Sequence, residues 1–260
     1  MTFPYKHVLL IGATSGIGRA MADRLAESGL KVTAVGRRQE RLDKFVRMHG
    51  EDKASSVAFD LADIKAIPGF VESVTKTFPD IDCVFFNAGV QHIYDMSDPT
   101  KFDLDQFQNE VSLNFNSFVA LTHAILPFLT SKNTPTSLIF TGSNLAIVPA
   151  VPMPAYCASK AALNVFVLCL REQLSKTNVK VIEISPPLVQ TELHDYMGEE
   201  KGRGMGMPLG QFIHVTHEGL LAGKDQIVVG SVGSAEVFND ILDKRRSAFD
   251  ELAKMMRSNF

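Results

Sequence analysis

The sequence predicts an α/β fold in which a parallel β-sheet is covered by helices on both faces. Short apolar runs alternate along the chain with longer segments of helical periodicity, which is the order expected of βαβ units. The run Ile81–Phe86 is almost entirely apolar, as expected of a parallel strand that is buried on both faces. A glycine-rich turn, Gly12–Gly18, joins the first apolar run to the first helical segment. Together these three observations predict the α/β class.

Length, composition and charge limit the classes of protein to which the chain can belong. With 260 residues, of which 45% are hydrophobic and 21% charged, it is expected to form a single globular domain over residues 1–260. The net charge of −3 gives no reason to expect a nucleic acid or an anionic membrane as partner, and no run reaches the ~18 apolar residues of a membrane span. The cysteines are odd in number and lack metal spacing, which indicates reduced thiols, no metal site and a cytoplasmic location. They are Cys83, Cys157 and Cys169.

The first βα unit carries a candidate phosphate-binding loop. The strand His7–Ile11 leads directly into the loop Gly12-Ala13-Thr14-Ser15-Gly16-Ile17-Gly18, and a helix is predicted over Arg19–Ser28. Glycines at this junction let backbone N–H groups approach a pyrophosphate at the positive end of the helix. A glycine-rich loop by itself can be only a tight turn, so the prediction of a nucleotide site depends on the strand and the helix that flank it.

The end of the second strand indicates which nucleotide the site prefers. The strand Lys31–Val35 is followed by Gly36, Arg37 and Arg38, where an NAD site usually has an acidic residue that accepts hydrogen bonds from the ribose. Two guanidinium groups suit the 2′-phosphate of NADP(H). The alternative is a solvated basic turn at the start of a helix. The phosphate interpretation is favoured, so the predicted cofactor is NADP(H).

The middle of the chain continues the alternation of strands and helices. Its predicted elements are the strand Val57–Phe59, the helix Ile64–Thr77, the strand Ile81–Phe86 and the helix Asp105–Thr130. The small residues Asn87, Ala88 and Gly89 follow the fourth strand, at the sheet edge where open α/β sheets bind ligands. Asn114 lies inside the long helix although asparagine is a poor helix former, so it has either a function or an exposed polar position.

Three side chains later in the chain indicate carbonyl chemistry. Ser143 follows the fifth strand, Leu138–Thr141, and Tyr156 and Lys160 are four residues apart on the next helix, so their side chains share one face. An ammonium beside a phenol stabilises the phenolate and lowers the pKa of the phenol. A serine hydroxyl nearby could hold a substrate oxygen against that phenol. The alternative is an ordinary Tyr/Lys pair on a solvated helix face, which the upstream nucleotide pattern makes less favoured.

The C-terminal part is expected to provide a subunit interface and the substrate pocket. The helical segment Ala161–Leu174 has almost no polar face, so one side should pack on the sheet and the other on a second subunit. Residues 192–210 lack periodicity and are predicted to be a mobile loop within a substrate lid of residues 187–225. The remaining predicted elements are the strand Val179–Ile184, the helix Gln211–Leu221, the strand Gln226–Val229 and the helix Ala235–Arg257.

Two smaller groups of side chains leave alternatives open. His214 and His217 have helical spacing that a metal could use, but no third ligand is evident, so surface histidines are favoured over a metal site. The apolar segment 145–154 favours a small-molecule substrate with hydrophobic bulk. Three methionines could line an adaptable apolar pocket or lie in a flexible loop, namely Met197, Met205 and Met207.

Taken in order, these motifs resemble the short-chain dehydrogenase/reductase family over nearly the whole chain. The resemblance implies a Rossmann-like, doubly wound parallel sheet of about seven strands with helices on both faces. It also implies a catalytic tetrad of Asn114, Ser143, Tyr156 and Lys160. With the two arginines, the predicted cofactor-binding residues are then Gly12, Thr14, Ser15, Gly16, Ile17, Arg37, Arg38, Asp60, Leu61, Asn87, Ala88, Gly89, Tyr156, Lys160, Pro186, Val189 and Thr191.

Two positions depart from the family pattern. Ile11 stands where a threonine is usual before the first glycine, which removes a structural hydrogen bond and leaves the glycines unchanged. Pro187 stands where a glycine usually follows Pro186, and it removes a backbone N–H and stiffens the entry to the lid. The second departure alters the expected contacts of the nicotinamide carboxamide and does not change the identity of the expected cofactor.

The expected function is hydride transfer between NADP(H) and a carbonyl or alcohol substrate. By resemblance, Tyr156 protonates the substrate oxygen and Ser143 orients it. Lys160 lowers the Tyr156 pKa and binds the nicotinamide ribose, and Asn114 holds a water in a proton relay. Alternatives on the same scaffold are a non-redox isomerase or cyclase and an NADP(H)-sensing binding protein. A homodimer or homotetramer is expected.

Overall fold

The computed structural model describes residues 3–257. Its strands are β1 His7–Ile11, β2 Lys31–Gly36, β3 Ala54–Ala58, β4 Cys83–Phe86, β5 Thr136–Thr141, β6 Val179–Ser185 and β7 Gln226–Val228. They form one sheet in the order β3-β2-β1-β4-β5-β6-β7, and every neighbouring pair is parallel. The predicted doubly wound parallel sheet of seven strands is therefore confirmed.

The helices lie on both faces of this sheet. They are α1 Gly16–Glu27, α2 Gln39–His49, α3 Ile67–Thr77, α4 Leu104–Val111, α5 Ser117–Thr130, α6 Pro154–Gln173, α7 Glu199–Gly204, α8 Leu209–Leu221 and α9 Ala235–Arg257. The chain runs outwards from β1 to β3 and then crosses to the other side through β4, so β1 and β4 are neighbours where the strand order reverses. Doubly wound sheets bind their ligands at this point.

Two apolar layers cover the two faces of the sheet. Because side chains alternate along a strand, Leu10 packs in a layer with α1, α2 and α8, whereas Leu9 and Ile11 pack in a layer with α3, α5 and α6. In the second layer the rings of Phe86 and Phe140 stack with their centroids 4.4 Å apart. Burial of both faces holds the carboxyl ends of the strands in place, and with them the loops that carry the predicted site residues.

Several element boundaries differ from the prediction by a few residues, and two of these differences have clear local reasons. β3 begins at Ala54 rather than Val57, since its first residues, Ala-Ser-Ser, carry no apolar signal although their backbone pairs with β2. α1 begins at Gly16 rather than Arg19, so the glycine loop itself supplies the first turn of the helix. The second difference brings the N-terminus of α1 to the loop that was predicted to bind phosphate.

The long predicted helix Asp105–Thr130 is interrupted by one π-helical turn. This turn, Ser112–Asn116, joins α4 to α5 and contains Asn114, which is fully buried, so the alternative of an exposed polar position is wrong. Among residues 3–257, Leu104–Thr130 is the one helical segment long and apolar enough to cross a membrane. A single such segment is weak evidence for a membrane protein because core helices meet the same criterion, and α5 packs here against α3 and β5.

Residues 192–210 are not an irregular loop, contrary to the prediction. They contain a 3₁₀ helix, Glu192–Met197, followed by α7 and the first two residues of α8. These helical turns are too short to produce a visible periodicity, which is why the pattern did not reveal them. The backbone N–H of Met207 donates to the Leu188 carbonyl at 2.8 Å, and that of Gln190 donates to the Met207 carbonyl at 3.0 Å. These bonds join the two ends of residues 188–207. This segment is shorter than the predicted lid of residues 187–225, and it is the segment that we call the lid from here on.

Helix α6 has a buried side and an exposed apolar side. Leu163, Val167 and Leu170 pack in the layer that covers the sheet. The opposite side exposes Ala158, Val165 and Cys169. These exposed side chains are small and apolar, as expected of a surface that contacts another subunit. The subunit interface itself stays a prediction.

Candidate active site

One cavity of about 780 Å³ opens at the carboxyl edge of the sheet, beside β1 and β4. Its volume is within the range of small-molecule and cofactor sites. All residues predicted to bind the cofactor line it, from Gly12 in the first loop to Thr191 after β6, and Ser143 lines it as well. Asn114 is not part of the lining and is fully buried. The structure therefore brings the predicted residues together at one place, while their roles in binding stay predictions.

The glycine loop has the geometry and the free donors that a pyrophosphate requires. Gly12 has φ +88°, and a Cβ added there would lie 2.5 Å from the backbone nitrogen of Ala88, so only glycine allows the loop to approach the end of β4 this closely. Ser15 precedes α1 and makes no side-chain hydrogen bond to its first turn. The first N–H groups of α1 therefore remain available at the positive end of the helix dipole. These features fit a dinucleotide phosphate.

Asn87 connects the ends of three neighbouring strands. Its Nδ2 donates to the Gly12 carbonyl at 3.3 Å, and its Oδ1 accepts from the Thr141 hydroxyl at 2.9 Å. Gly12 follows β1, Asn87 follows β4 and Thr141 ends β5. The side chain thus holds the glycine loop in a set position relative to the strand that leads to Ser143.

The two arginines after β2 have different environments. Arg37 is exposed, and its Nη1 lies 3.8 Å from Oδ2 of Asp60. Arg38 donates from Nε and Nη2 to the Thr14 hydroxyl at 2.9 and 2.6 Å, and from Nη2 to the Ser15 hydroxyl at 2.6 Å. Burial lowers the pKa of Arg38 from its ordinary value. Arg38 is therefore tied to the glycine loop, whereas Arg37 reaches solvent at the rim of the cavity.

Tyr156 and Ser143 are both buried and both line the cavity. Burial raises the pKa of Tyr156 to about 12, and hydrogen bonding to Ser143 only partly offsets this effect. The Nζ of Lys160 lies 5.7 Å from the centroid of the Tyr156 ring. Burial therefore sets the direction of the shift, and the expectation that Lys160 lowers the Tyr156 pKa stays a prediction. At neutral pH the phenol keeps its proton.

Lys160 is buried beside the end of β5. Its Nζ donates to the Thr141 carbonyl at 2.8 Å. Burial lowers the pKa of Lys160 to about 8, and the negative charge of Glu183 opposes this change. Glu183 is itself buried, and both of its carboxylate oxygens lie 2.9 Å from Nδ2 of Asn164. Lys160 therefore exchanges its proton close to physiological pH, unlike an ordinary lysine.

Asn114 connects the loop after β4 to α6. Its Oδ1 accepts from the Val90 N–H at 2.9 Å, and its Nδ2 donates to the Val90 carbonyl at 2.9 Å and to the Ser159 hydroxyl at 3.2 Å. Both amide hydrogens are thus used, and Oδ1 keeps one lone pair. A Cβ added to Gly89 would lie 3.3 Å from this Oδ1 and 3.9 Å from Nζ of Lys160, so both groups lie near Gly89. The water relay between them stays a prediction.

The sequence of these elements matches a known family model. The model described as short chain dehydrogenase covers residues 6–202, from the residue before β1 to within α7, and includes all four tetrad positions. The chain belongs to the short-chain dehydrogenase family. Its activity is accordingly that of an oxidoreductase.

Relatives of this short-chain dehydrogenase resemble it over most of its length. An uncharacterized oxidoreductase of Bacillus subtilis, DltE, is 31% identical over 252 residues, which is 96% of each chain. The NADP-dependent 3-hydroxy acid dehydrogenase of Schizosaccharomyces pombe is 32% identical, over 72% of this chain and 73% of the relative. The closed form of serine dehydrogenase complexed with NADP+ has a TM-score of 0.77 at 26% identity, and the match covers 88% of this chain and 97% of that structure.

The short-chain dehydrogenase also has a polar cluster that the sequence did not assign. Nδ1 of His92 lies 2.6 Å from Oε2 of Glu110, and the Tyr94 hydroxyl donates to the same oxygen at 3.0 Å. Glu110 is almost fully buried, and burial raises its pKa while His92 and Tyr94 oppose the change. The charge of Glu110 also contributes to the raised pKa of Tyr156. Glu110 is an ordinary polar residue of α4 by sequence, and its burial is visible only in the tertiary structure.

The rest of the cavity wall is largely apolar. The predicted apolar segment 145–154 contributes three side chains and the lid contributes two of the three methionines, whereas Met207 packs against the core layer of α1 and α8. The Tyr196 hydroxyl, on the lid, donates to Oε1 of Gln91 at 3.3 Å. The apolar lining residues in question are Leu145, Ala150, Met153, Met197 and Met205.

The two candidate metal-binding histidines have different environments. His214 is exposed, but His217 is buried with its Nε2 3.3 Å from the Ser28 hydroxyl, so the expectation of a surface position is wrong for His217. Burial lowers the pKa of His217. Within residues 3–257 no group of three or more His, Cys, Asp or Glu side chains could hold a metal ion. The three cysteines are free thiols, two of them buried.

Proposed function

We propose that this short-chain dehydrogenase transfers a hydride between NADP(H) and a carbonyl or alcohol group of a small molecule. The observation that carries the proposal is the convergence of Ser143, Tyr156 and Lys160 on the cavity whose lining also includes the glycine loop and Arg38. NADPH supplies the hydride when it is bound. Binding of the substrate oxygen and transfer of one proton are then the tasks of the side chains.

Tyr156 is the proposed general acid of the reduction. Its pKa of about 12 keeps the hydroxyl protonated at neutral pH, so it can donate to a substrate oxygen as negative charge develops there. The Ser143 hydroxyl oxygen accepts the N–H of Leu145 at 3.1 Å, and its hydrogen, which serves Tyr156 in the structure, is proposed to turn towards the substrate oxygen when substrate binds. Oxidation of an alcohol requires Tyr156 to lose its proton first, so the high pKa makes that direction more dependent on alkaline pH.

Lys160 and Asn114 are proposed to return the proton to Tyr156 and to hold the nicotinamide ribose. A group exchanges protons most effectively when its pKa is near the ambient pH, and the Lys160 pKa of about 8 meets this condition. The free lone pair of Asn114 and Nζ of Lys160 both lie beside Gly89. A water between them would connect the two side chains.

The cavity favours a substrate with hydrophobic bulk and one polar end. Leu145, Met153 and Met205 supply apolar contacts, and His92, oriented by Glu110, is one of the polar lining side chains proposed to bind the other end. Relatives named for hydroxy acids include the 3-hydroxy acid dehydrogenase and a serine 3-dehydrogenase of Rhizobium radiobacter. We therefore propose hydroxy acids and the corresponding oxo acids as the first compounds to test.

Oxidation of NADPH against a panel of ketones, aldehydes, imines and oxo acids tests this function. Tyr156→Phe keeps the ring and removes the hydroxyl, so reduction should slow ~10²–10⁴-fold, while the unfolding temperature and NADPH affinity remain those of the wild type. Ser143→Ala should lower turnover and leave NADPH affinity unchanged. If Tyr156→Phe kept the turnover of the wild type, a group other than Tyr156 would have to protonate the substrate oxygen. Binding of NADPH without oxidation by any compound would favour a non-redox isomerase or cyclase, or an NADP(H)-sensing protein.

We further propose that the chain forms a homodimer or homotetramer in the cytoplasm, with the lid closing over a small-molecule substrate. The exposed strip of Ala158, Val165 and Cys169 on α6 supports the assembly, because a two-fold axis would place two such strips against each other. Cell fractionation tests the location.

A further inference from the structure

The lid brings a carboxylate to the arginines at the end of β2. Nη1 of Arg41 donates to Oε1 and Oε2 of Glu192 at 2.9 and 2.7 Å, and Nη1 of Arg38 donates to Oε2 of Glu192 at 3.3 Å. Arg41 also donates to the Thr14 carbonyl of the glycine loop, at 3.2 Å. We call Arg38, Arg41 and Glu192 the arginine–Glu192 cluster.

The cluster joins two parts of the chain that face the same cavity. Arg38 precedes α2 and Arg41 lies in its first turn, whereas Glu192 begins the 3₁₀ helix of the lid, 151 residues after Arg41. Arg38 and Glu192 both line the cavity. The side chains of Arg38, Arg41 and Glu192 keep 45%, 42% and 33% of their surface exposed. The ion pairs are therefore within reach of solvent and of a ligand in the cavity.

A phosphate bound by these arginines needs the donors that Glu192 uses. Guanidinium groups bind carboxylates and phosphates with the same planar set of N–H donors. A carboxylate that already lies between the arginines uses part of that set and repels a second anion at short distance. A 2′-phosphate and the Glu192 carboxylate therefore compete for the same N–H groups of Arg38 and Arg41.

We propose that Glu192 occupies the 2′-phosphate position until a phosphorylated nucleotide displaces it, and that Arg41 belongs to the phosphate site together with Arg38. The inference rests on the proposed use of NADP(H). The 2′-phosphate releases the Glu192 carboxylate from α2, and with it the first residue of the lid's 3₁₀ helix. A nucleotide without this phosphate leaves the ion pairs in place. Glu192 thus lowers the affinity for NADP(H) and does not change the affinity for NAD(H). The position of the lid then depends on which of the two cofactors is bound.

Calorimetric titration with 2′,5′-ADP and 5′-AMP isolates the effect of the phosphate, because these two nucleotides differ only in that group. Glu192→Gln keeps the side-chain size and removes the charge. We expect it to tighten 2′,5′-ADP binding about five-fold, the upper range for a partly exposed ion pair, and to change 5′-AMP binding less than about two-fold. In the Glu192→Gln background, Arg41→Gln should weaken 2′,5′-ADP binding about ten-fold, since a hydrogen bond to a charged group is lost.

Glu200→Gln is the matched control for the charge of the lid. Glu200 is exposed in α7 and forms no ion pair among residues 3–257, while the neighbouring Arg203 pairs with Asp195 and Glu199. We expect Glu200→Gln to bind both nucleotides as the wild type does. Trypsin cleavage after the exposed Lys201 reports release of the lid. Cleavage of the wild type should accelerate when 2′,5′-ADP is added and should not change when 5′-AMP is added. In Glu192→Gln, 2′,5′-ADP should not accelerate the cleavage.

The outcomes separate this inference from the proposed function. If the wild type binds 2′,5′-ADP no more tightly than 5′-AMP, the proposed use of NADP(H) fails. If the wild type prefers 2′,5′-ADP but Glu192→Gln and Glu200→Gln bind it equally, the use of NADP(H) stands and the role of Glu192 is overturned. Identical trypsin cleavage of the wild type with and without 2′,5′-ADP overturns the coupling to the lid.

Discussion

Replacement of Lys160 by methionine is expected to stabilise the folded protein while it abolishes the proposed activity. Lys160 is 3% exposed, and burial lowers its pKa from 10.5 to about 8. Each unit of pKa corresponds to ~1.4 kcal/mol, so holding this lysine charged in the folded state costs roughly 3 kcal/mol at pH 7. A methionine side chain has a similar length and carries no charge.

Two contacts of Lys160 reduce the expected gain. Its Nζ donates to the Thr141 carbonyl at 2.8 Å, and the loss of that bond leaves a carbonyl unpaired at a cost of about 1–2 kcal/mol. The buried Glu183 also loses a neighbouring positive charge. We therefore expect Lys160→Met to raise the free energy of unfolding by about 1–2 kcal/mol at pH 7, or a few degrees in Tm.

The pH dependence separates the lysine charge from changes in packing. Between pH 8 and pH 10.5 the unfolded chain keeps the Lys160 proton and the folded chain loses it, so the unfolded state binds more protons. Wild-type stability therefore rises relative to that of Lys160→Met as the pH increases through this window. The advantage of methionine should be constant below pH 8 and should fall by up to roughly 3 kcal/mol by pH 10.5, which reverses its sign.

Urea unfolding of both proteins at pH 7, 8.5 and 10, followed by circular dichroism, measures this difference. Other titrating groups are common to the two proteins and cancel in the comparison. A stability difference that stayed constant between pH 8 and pH 10.5 would refute the lowered pKa of Lys160. In parallel, turnover of Lys160→Met should fall as far as that of Tyr156→Phe. NADPH binding should weaken as well, because the same ammonium is proposed to bind the ribose.

Two further outcomes are expected. Arg38→Ala should weaken NADPH binding about 10- to 100-fold more than NADH binding, since a charge-assisted contact to the 2′-phosphate contributes roughly 1.5–3 kcal/mol. Fluorescence titration checks this, and equal wild-type affinities for NADPH and NADH would contradict the predicted preference. The wild type should sediment as a dimer or tetramer at micromolar concentration, and Val165→Arg should give a monomer because it places like charges across the two-fold axis. Val237→Arg is the control, because Val237 is 58% exposed and Val165 is 50% exposed. This variant should sediment with the same oligomer mass as the wild type. A monomeric wild type in analytical ultracentrifugation would rule out the interface.

The order of strands and helices could be predicted because it depends on local patterns. Ile81–Phe86 is apolar enough to identify a strand buried on both faces, and the glycine loop Gly12–Gly18 marks a strand-to-helix turn wherever it occurs. β3 was placed less well, since an edge strand pairs through its backbone and needs no apolar side chains. Helical turns as short as those of the lid also leave no period in the sequence.

The residues of the candidate site could be predicted from the sequence, but the burial of each residue and its neighbouring side chains could not. Glycine spacing, the Tyr156–Lys160 spacing and the arginines after β2 are local, and the parallel sheet brings the ends of its strands to one edge, so the lining of the cavity followed from order alone. Whether Asn114 was exposed or buried depends on a π-helical turn and on neighbours in the loop after β4 and in α6. No local pattern distinguishes these two positions.

By itself, the sequence determined the fold class and the position of the candidate site, because these follow from periodicity, glycine conformation and short spacings along the chain, and the order of its motifs carried the resemblance to the family. Only the tertiary structure decided the protonation of the site and its internal contacts. The pKa values of Tyr156 and Lys160 move in the directions set by burial, which overrides the effect expected from their spacing. Glu192 meets Arg41 across 151 residues of chain. Desolvation and long-range contacts such as these arise only when distant segments pack together.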